Sequence, residues 1–262
     1  GSMFSLADKT ALVTGATGYF GLSIARELMA AGAGVYLNGR DLATVTRLAE
    51  DFAKEGFMAF PAAFDITHVD QVDEFFGRLG AEPLDILVNN AYAGGAGAVE
   101  VADDDGYRES YEVAVVAAQR LVRRALPNLR AARAKRGDAA VVNIASMYGV
   151  VSPDLRVYPD KHGANAAFYG AAKAALIQWT RYAACEFGPE GIRFNVLTPG
   201  AFPSPETQRR SPDLISSLEK KIPLGRIGKA SEIGGVVAFL ASPTASYING
   251  ATLPVDGGWT AW

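Results

Sequence analysis

Along the first third of the chain, short apolar runs rich in β-branched residues alternate with longer stretches whose apolar positions recur every three or four residues. The first rhythm suits strands and the second suits helices with one buried face. Ala11-Leu12-Val13 is predicted as a strand, and Gly21 to Ala31 as a helix that buries Leu22, Ala25, Leu28 and Met29 on one side. Val35-Tyr36-Leu37 follows as a strand, Asp41 reads as the N-cap of a helix running to about Glu55, and a third strand lies between Phe57 and Phe64. Thr67, with Asp70 three residues on, resembles a capping box for the next helix. Leu84 to Val88, Ala140 to Ile144, Ile192 to Leu197 and Thr252 to Val255 complete the strands. These runs are apolar almost throughout, as expected where helices cover both faces of a parallel sheet. The predicted fold class is therefore α/β, a doubly wound and mainly parallel sheet.

Composition narrows the function. With 262 residues, 49% apolar and 20% charged, the chain is the size of one domain with a large core, taken as residues 3–262 with the appended Gly1-Ser2 set aside. A formal charge of −3 argues against a broad grip on nucleic acid or an anionic membrane and favours a small-molecule substrate. The lone Cys185 can form no internal disulfide, and the start of the chain lacks a basic segment followed by an apolar run, so the expected location is the cytoplasm. His68 and His162 have no ligand spacing with each other or with Cys185, and no metal site is predicted. Two stretches rich in Pro, Gly and polar residues, near 150–167 and 199–225, each follow a strand. Ligands of parallel sheets bind outside the strands' carboxyl ends, so both are predicted substrate loops.

Thr14-Gly15-Ala16-Thr17-Gly18-Tyr19-Phe20-Gly21 lies between the first strand and the first helix. That is where glycines let a backbone approach a pyrophosphate at a helix N-terminus. At the end of strand two, a carboxylate would suit a ribose 2′-hydroxyl and a cation a 2′-phosphate. The sequence there is Leu37-Asn38-Gly39-Arg40, which favours NADP(H) over NAD(H). Asp41 is the rival feature if it turns inward. Further on, Tyr169 and Lys173 stand four apart, on one helix face. An ammonium about 5 Å from a phenol is worth roughly 3 kcal/mol at an effective dielectric near 20, which would lower the phenol's pKa by about two units into a catalytic range.

Taken together, Thr14 to Gly21, Asp65, Asn89-Asn90-Ala91, Asn143 to Ser146, Tyr169 to Lys173, Asn195, Pro199-Gly200, Pro223 to Arg226 and Val255 to Gly258 give the chain a resemblance to the short-chain dehydrogenase/reductase family. The resemblance covers nearly the whole chain. It implies a Rossmann-type seven-stranded fold and hydride transfer between a nicotinamide and an alcohol or carbonyl carbon. By position, Tyr169 would be the general acid or base, Lys173 would lower its pKa and hold the nicotinamide ribose, and Ser146 would bind the substrate oxygen. Gly15, Thr17, Gly18, Tyr19, Phe20 and Gly21 would hold the pyrophosphate region, and Arg40 the ribose phosphate. Asp65 and Ile66 would contact the adenine, with Asn90 and Ala91 beneath the cofactor. Pro199, Gly200, Phe202 and Ser204 would approach the nicotinamide amide.

Three departures from the family pattern stand out. Tyr19 replaces a usual glycine, and Ala114 falls where an asparagine commonly anchors a proton-relay water. Ser146 and Tyr169 are also further apart than usual, and the added segment carries Asp154, Arg156, Tyr158, Asp160, Lys161 and His162. This polar set suits a sugar, sugar acid or hydroxy acid. Arg120, Arg123, Arg124, Arg130, Arg133, Lys135 and Arg136 form a basic stretch with no acid among them, readable as helix-dipole compensation or as a dock for an acidic acyl carrier. The alternatives are thus a 3-oxoacyl-[acyl-carrier-protein] reductase, or a cofactor-binding sensor with little activity. The apolar faces around Tyr111 and Val115, and around Leu176 and Trp179, imply by resemblance a homodimer or homotetramer.

Overall fold

A computed structural model describes residues 2–262; Gly1 lies outside them. The strands are β1 Thr10–Val13, β2 Gly34–Gly39, β3 Ala59–Ala63, β4 Ile86–Asn89, β5 Ala139–Ile144, β6 Ile192–Pro199 and β7 Thr252–Val255. They form one sheet in the order β3-β2-β1-β4-β5-β6-β7, with every pairing parallel. The doubly wound prediction is met. From β1 the chain builds outward through β2 and β3, then returns to the other flank of β1 with β4. That reversal opens a crevice at the carboxyl ends of β1 and β4.

The helices are α1 Tyr19–Ala30, α2 Leu42–Lys54, α3 Val69–Leu79, α4 Asp104–Tyr111, α5 Ala117–Arg136, α6 Ala167–Phe187, α7 Pro205–Arg210, α8 Pro212–Glu219 and α9 Ser231–Ala241. Alternation along the strands sorts them into two layers. Ala11 and Val13 point to the face where Ile24 and Leu28 of α1 meet Ile233 and Val237 of α9. Leu12 points to the other, with Val72 of α3, Leu121 and Leu129 of α5, and Ala183 of α6. Gly234 lets the first layer close: a Cβ there would lie 2.6 Å from the Ser23 carbonyl oxygen. Both edge strands carry proline, Pro61 opposite Leu37 and Pro254 opposite Thr198. An edge tolerates the missing N–H, and the residue blunts outward pairing.

Asp41 caps α2 as predicted, its carboxylate accepting from the Thr44 N–H at 3.1 Å. The Thr67–Asp70 capping box does not form. The Asp65 carboxylate takes the Thr67 hydroxyl at 2.7 Å and its N–H at 2.9 Å, so α3 starts one residue later, after His68. The third strand is shorter than predicted, and the 199–225 stretch is not irregular but contains α7 and α8, each with a proline in its first turn. Much of the basic stretch on α5 is bound within the fold: Arg124 to Asp73 at 2.6 Å, Arg130 to Glu190 at 2.7 Å, Arg136 to Asp85 at 3.2 Å and Arg120 to Glu112 at 3.2 Å. Among the described residues no helix is long and apolar enough to cross a membrane.

Arg193 of β6 is the most deeply committed cation of the scaffold. It pairs with Asp138 through both carboxylate oxygens, at 2.9 and 3.0 Å, and donates to the carbonyls of Leu240 and Ile248. Removing it takes both short contacts from a partly buried carboxylate, which keeps only Lys9 at 3.9 Å, and the side-chain donor from the Leu240 carbonyl. Arg193→Met is expected to lower stability in urea titrations by about 3 kcal/mol, and a loss below about 1 kcal/mol would contradict that role.

Candidate active site

The turn between β1 and α1 is built by glycines in two different ways. Gly15 has a φ of +59°, and a Cβ on Gly21 would lie 2.0 Å from the Gly15 carbonyl oxygen, so the turn itself demands both. Gly18 is freer, since a Cβ there would meet only the Gly15 carbonyl oxygen, at 3.5 Å. Its small size instead clears the N-terminus of α1, where no side chain caps the helix and no acid occupies the first turn. Uncapped N–H groups and the positive end of the helix dipole favour an anion there, and the cradle fits the diphosphate of a dinucleotide. Thr17 is exposed beside this opening. Tyr19 does not stand free over it but stacks on Phe20 at 6.0 Å between ring centroids, and Phe20 meets Phe202 edge-on at 5.2 Å.

Side chains from neighbouring strands hold the turn in place. Asn38, buried in β2, donates to the carbonyls of Ala62 and Phe64 at 3.0 and 2.9 Å, and its side-chain oxygen accepts from the Gly15 N–H at 3.4 Å. From the other side, the Asn90 amide donates to the Thr14 and Gly15 carbonyls at 3.1 and 3.2 Å, while the Thr14 hydroxyl accepts from the N–H groups of Asn90 and Ala91. Asn90 and Ala91 thus lie beneath the glycine turn. Asn38, noted in the sequence only as a strand end without a carboxylate, proves to be its main clamp. A buried asparagine between two strand ends was the available signal.

Arg40 is exposed at the end of β2 and makes no ion pair among the described residues. Asp41 turns outward to cap α2, leaving Arg40 as an exposed cation at the end of β2. Burial works against the Asp65 carboxylate, yet its hydrogen bonds from Thr67, with His68 and Arg40 nearby, hold it below the usual carboxylate range. Ile66 is buried next to it, and its carbonyl accepts from Arg120 at 2.8 Å. At the far side, Pro199 ends β6 and Gly200 follows, where a Cβ would lie 2.6 Å from that of Asp256. Phe202 packs against Gly228, and the Ser204 hydroxyl caps α7 by accepting from the Thr207 N–H at 3.2 Å.

Ser146, Tyr169 and Lys173 converge at the end of β5. Two glycines bring them together: a Cβ on Gly170 would lie 2.4 Å from the Tyr148 carbonyl oxygen, and one on Gly149 would lie 3.0 Å from the Ala174 nitrogen. The short turn Met147–Gly149 therefore lies directly on α6. Deeper down, Asn89, Asn143 and Thr180 form a buried chain of hydrogen bonds, each 2.9 Å, joining β4 and β5 to α6. The Lys173 ammonium is buried, donates to the Ile144 carbonyl at 2.9 Å and stands 5.8 Å from the centre of the Tyr169 ring.

The expected lowering of the Tyr169 pKa is corrected by this geometry. Burial of the phenol raises it, the Ser146 hydroxyl pulls the other way as a hydrogen-bond partner, and Tyr92 adds to the rise. Tyr92 packs edge-on against Tyr169, with ring centroids 6.5 Å apart. Lys173 directs one of its three N–H groups to the Ile144 carbonyl, and burial pushes its own pKa down to about 8. Ala114, in the π-helical turn Glu112–Val116, is buried with Ala145, Ala172 and Leu176 and presents only a methyl group. Among the described residues no group of three His, Cys, Asp or Glu side chains could hold a metal ion.

The sequence profile described as "Enoyl-(Acyl carrier protein) reductase" matches residues 15–260. The chain is 34% identical over 263 residues to the rhamnolipids biosynthesis 3-oxoacyl-[acyl-carrier-protein] reductase of Pseudomonas aeruginosa, covering 98% of each chain. This chain belongs to the short-chain dehydrogenase/reductase family. Gluconate 5-dehydrogenase of Gluconobacter oxydans is another member with 33% identity, over 98% of this chain and 97% of its own. Among solved structures of the family, a gluconate 5-dehydrogenase from Burkholderia cenocepacia in complex with NADP and tartrate superposes with a TM-score of 0.86. It is 31% identical, with 99% of this chain and 98% of the other covered.

The buried ammonium has a measurable cost. Its folded pKa of about 8 lies below the ordinary lysine value of 10.5, so the unfolded chain binds the extra proton between those values and stability gains with rising pH. Relative to Lys173→Met, the parent protein is expected to recover up to about 3 kcal/mol between pH 8 and pH 10.5 in denaturant titrations. A stability difference that stays flat across that window would show that the amine is not buried as a charge.

Proposed function

We propose that the chain is an NADP(H)-dependent oxidoreductase that interconverts a secondary alcohol and a ketone, acting on a polar substrate of the sugar-acid or hydroxy-acid type. The observation that carries this reading is the meeting of Tyr169, Ser146 and Lys173 at the end of β5, in a fold whose switch point holds an uncapped helix N-terminus. The Burkholderia cenocepacia relative's complex with NADP and tartrate supports both cofactor and substrate class. The first turn of α1 would hold the diphosphate and Arg40 the 2′-phosphate, with Asp65 and Ile66 at the adenine. Pro199, Gly200, Phe202 and Ser204 would border the nicotinamide. The bound cofactor supplies or accepts the hydride.

The protein's own part is proton handling. In reduction, Tyr169 donates its proton to the carbonyl oxygen while Ser146 holds that oxygen and shares the developing charge. A raised phenol pKa keeps the proton on Tyr169 at neutral pH, ready to be given. Lys173, still largely protonated at pH 7, stabilises the phenolate left behind and holds the nicotinamide ribose. Ala114 presents only a methyl group where an asparagine would anchor a relay water, which makes reprotonation of Tyr169 a candidate slow step.

Reduction of an acyl-carrier thioester is the second reading, favoured by the Pseudomonas aeruginosa relative. Against it, Arg120, Arg124, Arg130 and Arg136 are already paired within the fold, which leaves Arg123, Arg133 and Lys135 as a thin basic surface. A groove of about 490 Å³ between α5 and α6, lined by Leu126, Trp179, Tyr182 and Phe187 among others, supports pairing with a second copy of the chain.

Tyr169→Phe is expected to cut turnover about a thousandfold while NADPH affinity, followed by its fluorescence, stays within a few-fold. Unchanged turnover would refute the proton-donor assignment. Arg40→Ala should weaken NADPH far more than NADH in the same titration, and an equal loss for both would reject the 2′-phosphate contact.

A further inference from the structure

Two stretches stand over the carboxyl ends of the strands: residues 150–167 after β5, and α7 with α8 after β6. The first is fastened along its far half to the loop after β4. Gly97 N–H donates to the Ala164 carbonyl at 2.9 Å, Ala98 N–H to that of Lys161 at 2.8 Å, and Ala167 N–H to that of Gly97 at 3.3 Å. Ala96 and Asn165 add an antiparallel bridge. The near half has no such seam. Among the described residues a single polar link joins it to the α7–α8 stretch, an ion pair between Asp154 and Lys221, just past α8.

Both partners of this link are satisfied with or without it. The Asp154 carboxylate also accepts from Arg156 Nε and Nη2, each at 2.9 Å, and from the Arg156 N–H at 3.0 Å. The Lys221 ammonium stands 6.0 Å from the centre of the Trp259 ring, within cation–π range. Breaking the pair therefore strands no buried charge. With side chains 19% and 30% exposed, it is better shielded than an open surface pair yet still within reach of water. A contact with these properties can open and close.

We propose that Asp154 and Lys221 form a latch that draws the α7–α8 stretch against the 150–167 loop over bound substrate, positioning it for reaction at Tyr169. This rests on the oxidoreductase reading above. Tyr148 places the latch near the chemistry: its phenol is hydrogen-bonded to Tyr158, and burial, with Tyr158, Tyr169 and Asp154 nearby, opposes its ionisation. Tyr148 thus has both Asp154 of the latch and Tyr169 in its neighbourhood. Asp154 and Lys221 are positioning residues, and neither takes part in proton or hydride transfer.

The test compares Asp154→Asn, Lys221→Met and the double variant with Arg156→Met, which removes the other partner of Asp154 but keeps the latch. The full-length protein saturated with NADPH is exposed to limiting trypsin, and cutting is followed only after Arg209 and Arg210 of α7, sites that none of the variants removes. Asp154→Asn and Lys221→Met are expected to be cut several-fold faster than the parent, Arg156→Met at the parental rate, and the double variant no faster than either single one. Equal cutting of parent and latch variants, or additive effects in the double, would overturn the latch. With D-gluconate and NADP, the latch variants should raise KM about tenfold with kcat within about twofold, and Lys221→Arg should restore KM. A fall in kcat at constant KM would overturn the positioning role. If D-gluconate is not turned over, the substrate class proposed above fails, while proteolysis still decides the latch.

Discussion

A positive charge is kept where almost no water reaches it, and much of the site is arranged around that fact. Lys173 is buried on α6, and the Ile144 carbonyl at the end of β5 is the hydrogen-bond acceptor that makes the position tolerable. Desolvation pulls its pKa down to about 8, which still leaves the proton in place at neutral pH. The helix must consequently lie tightly on the sheet. The asparagine and threonine chain beneath it and the two close glycine contacts above it enforce that fit.

The same architecture explains how the halves of the site find one another. Strand order reverses at β1 and β4, so the glycine turn and the Ser146, Tyr169 and Lys173 group open on the same side of the sheet. Asn38 and Asn90 clamp the glycine turn from either flank, fixing the N-terminus of α1 without using the side-chain cap that would block an anion. The turn is rigid and the helix end uncapped because the clamps bind the turn and leave that end alone.

Strand periodicity, the Asp41 cap and the grouping of site residues were legible in the sequence, because each depends on local pattern or on motif order. What was not legible depended on competition between neighbours. Thr67 was a reasonable cap until Asp65, two residues earlier, proved the better partner. The phenol of Tyr169 was expected to feel mainly the lysine, but spacing along a helix says nothing of burial or of the carbonyl that claims the ammonium. The basic run on α5 looked like a surface for a partner, while its acids came from α3, the residue before β4 and the turn beyond α6, distant in number. Asn38 was visible as a residue and invisible as a clamp, since its acceptors lie on the next strand.

The seating of the Met147–Gly149 turn on α6 has a consequence for how such a site can change. Because Gly149 and Gly170 fasten the chain on either side of the 150–167 segment, the distance between serine and tyrosine is set by that contact and not by the length of chain between them. The segment can lengthen, shorten or alter its charge within the limits of its seam to the loop after β4, while Ser146, Tyr169 and Lys173 beneath keep their alignment.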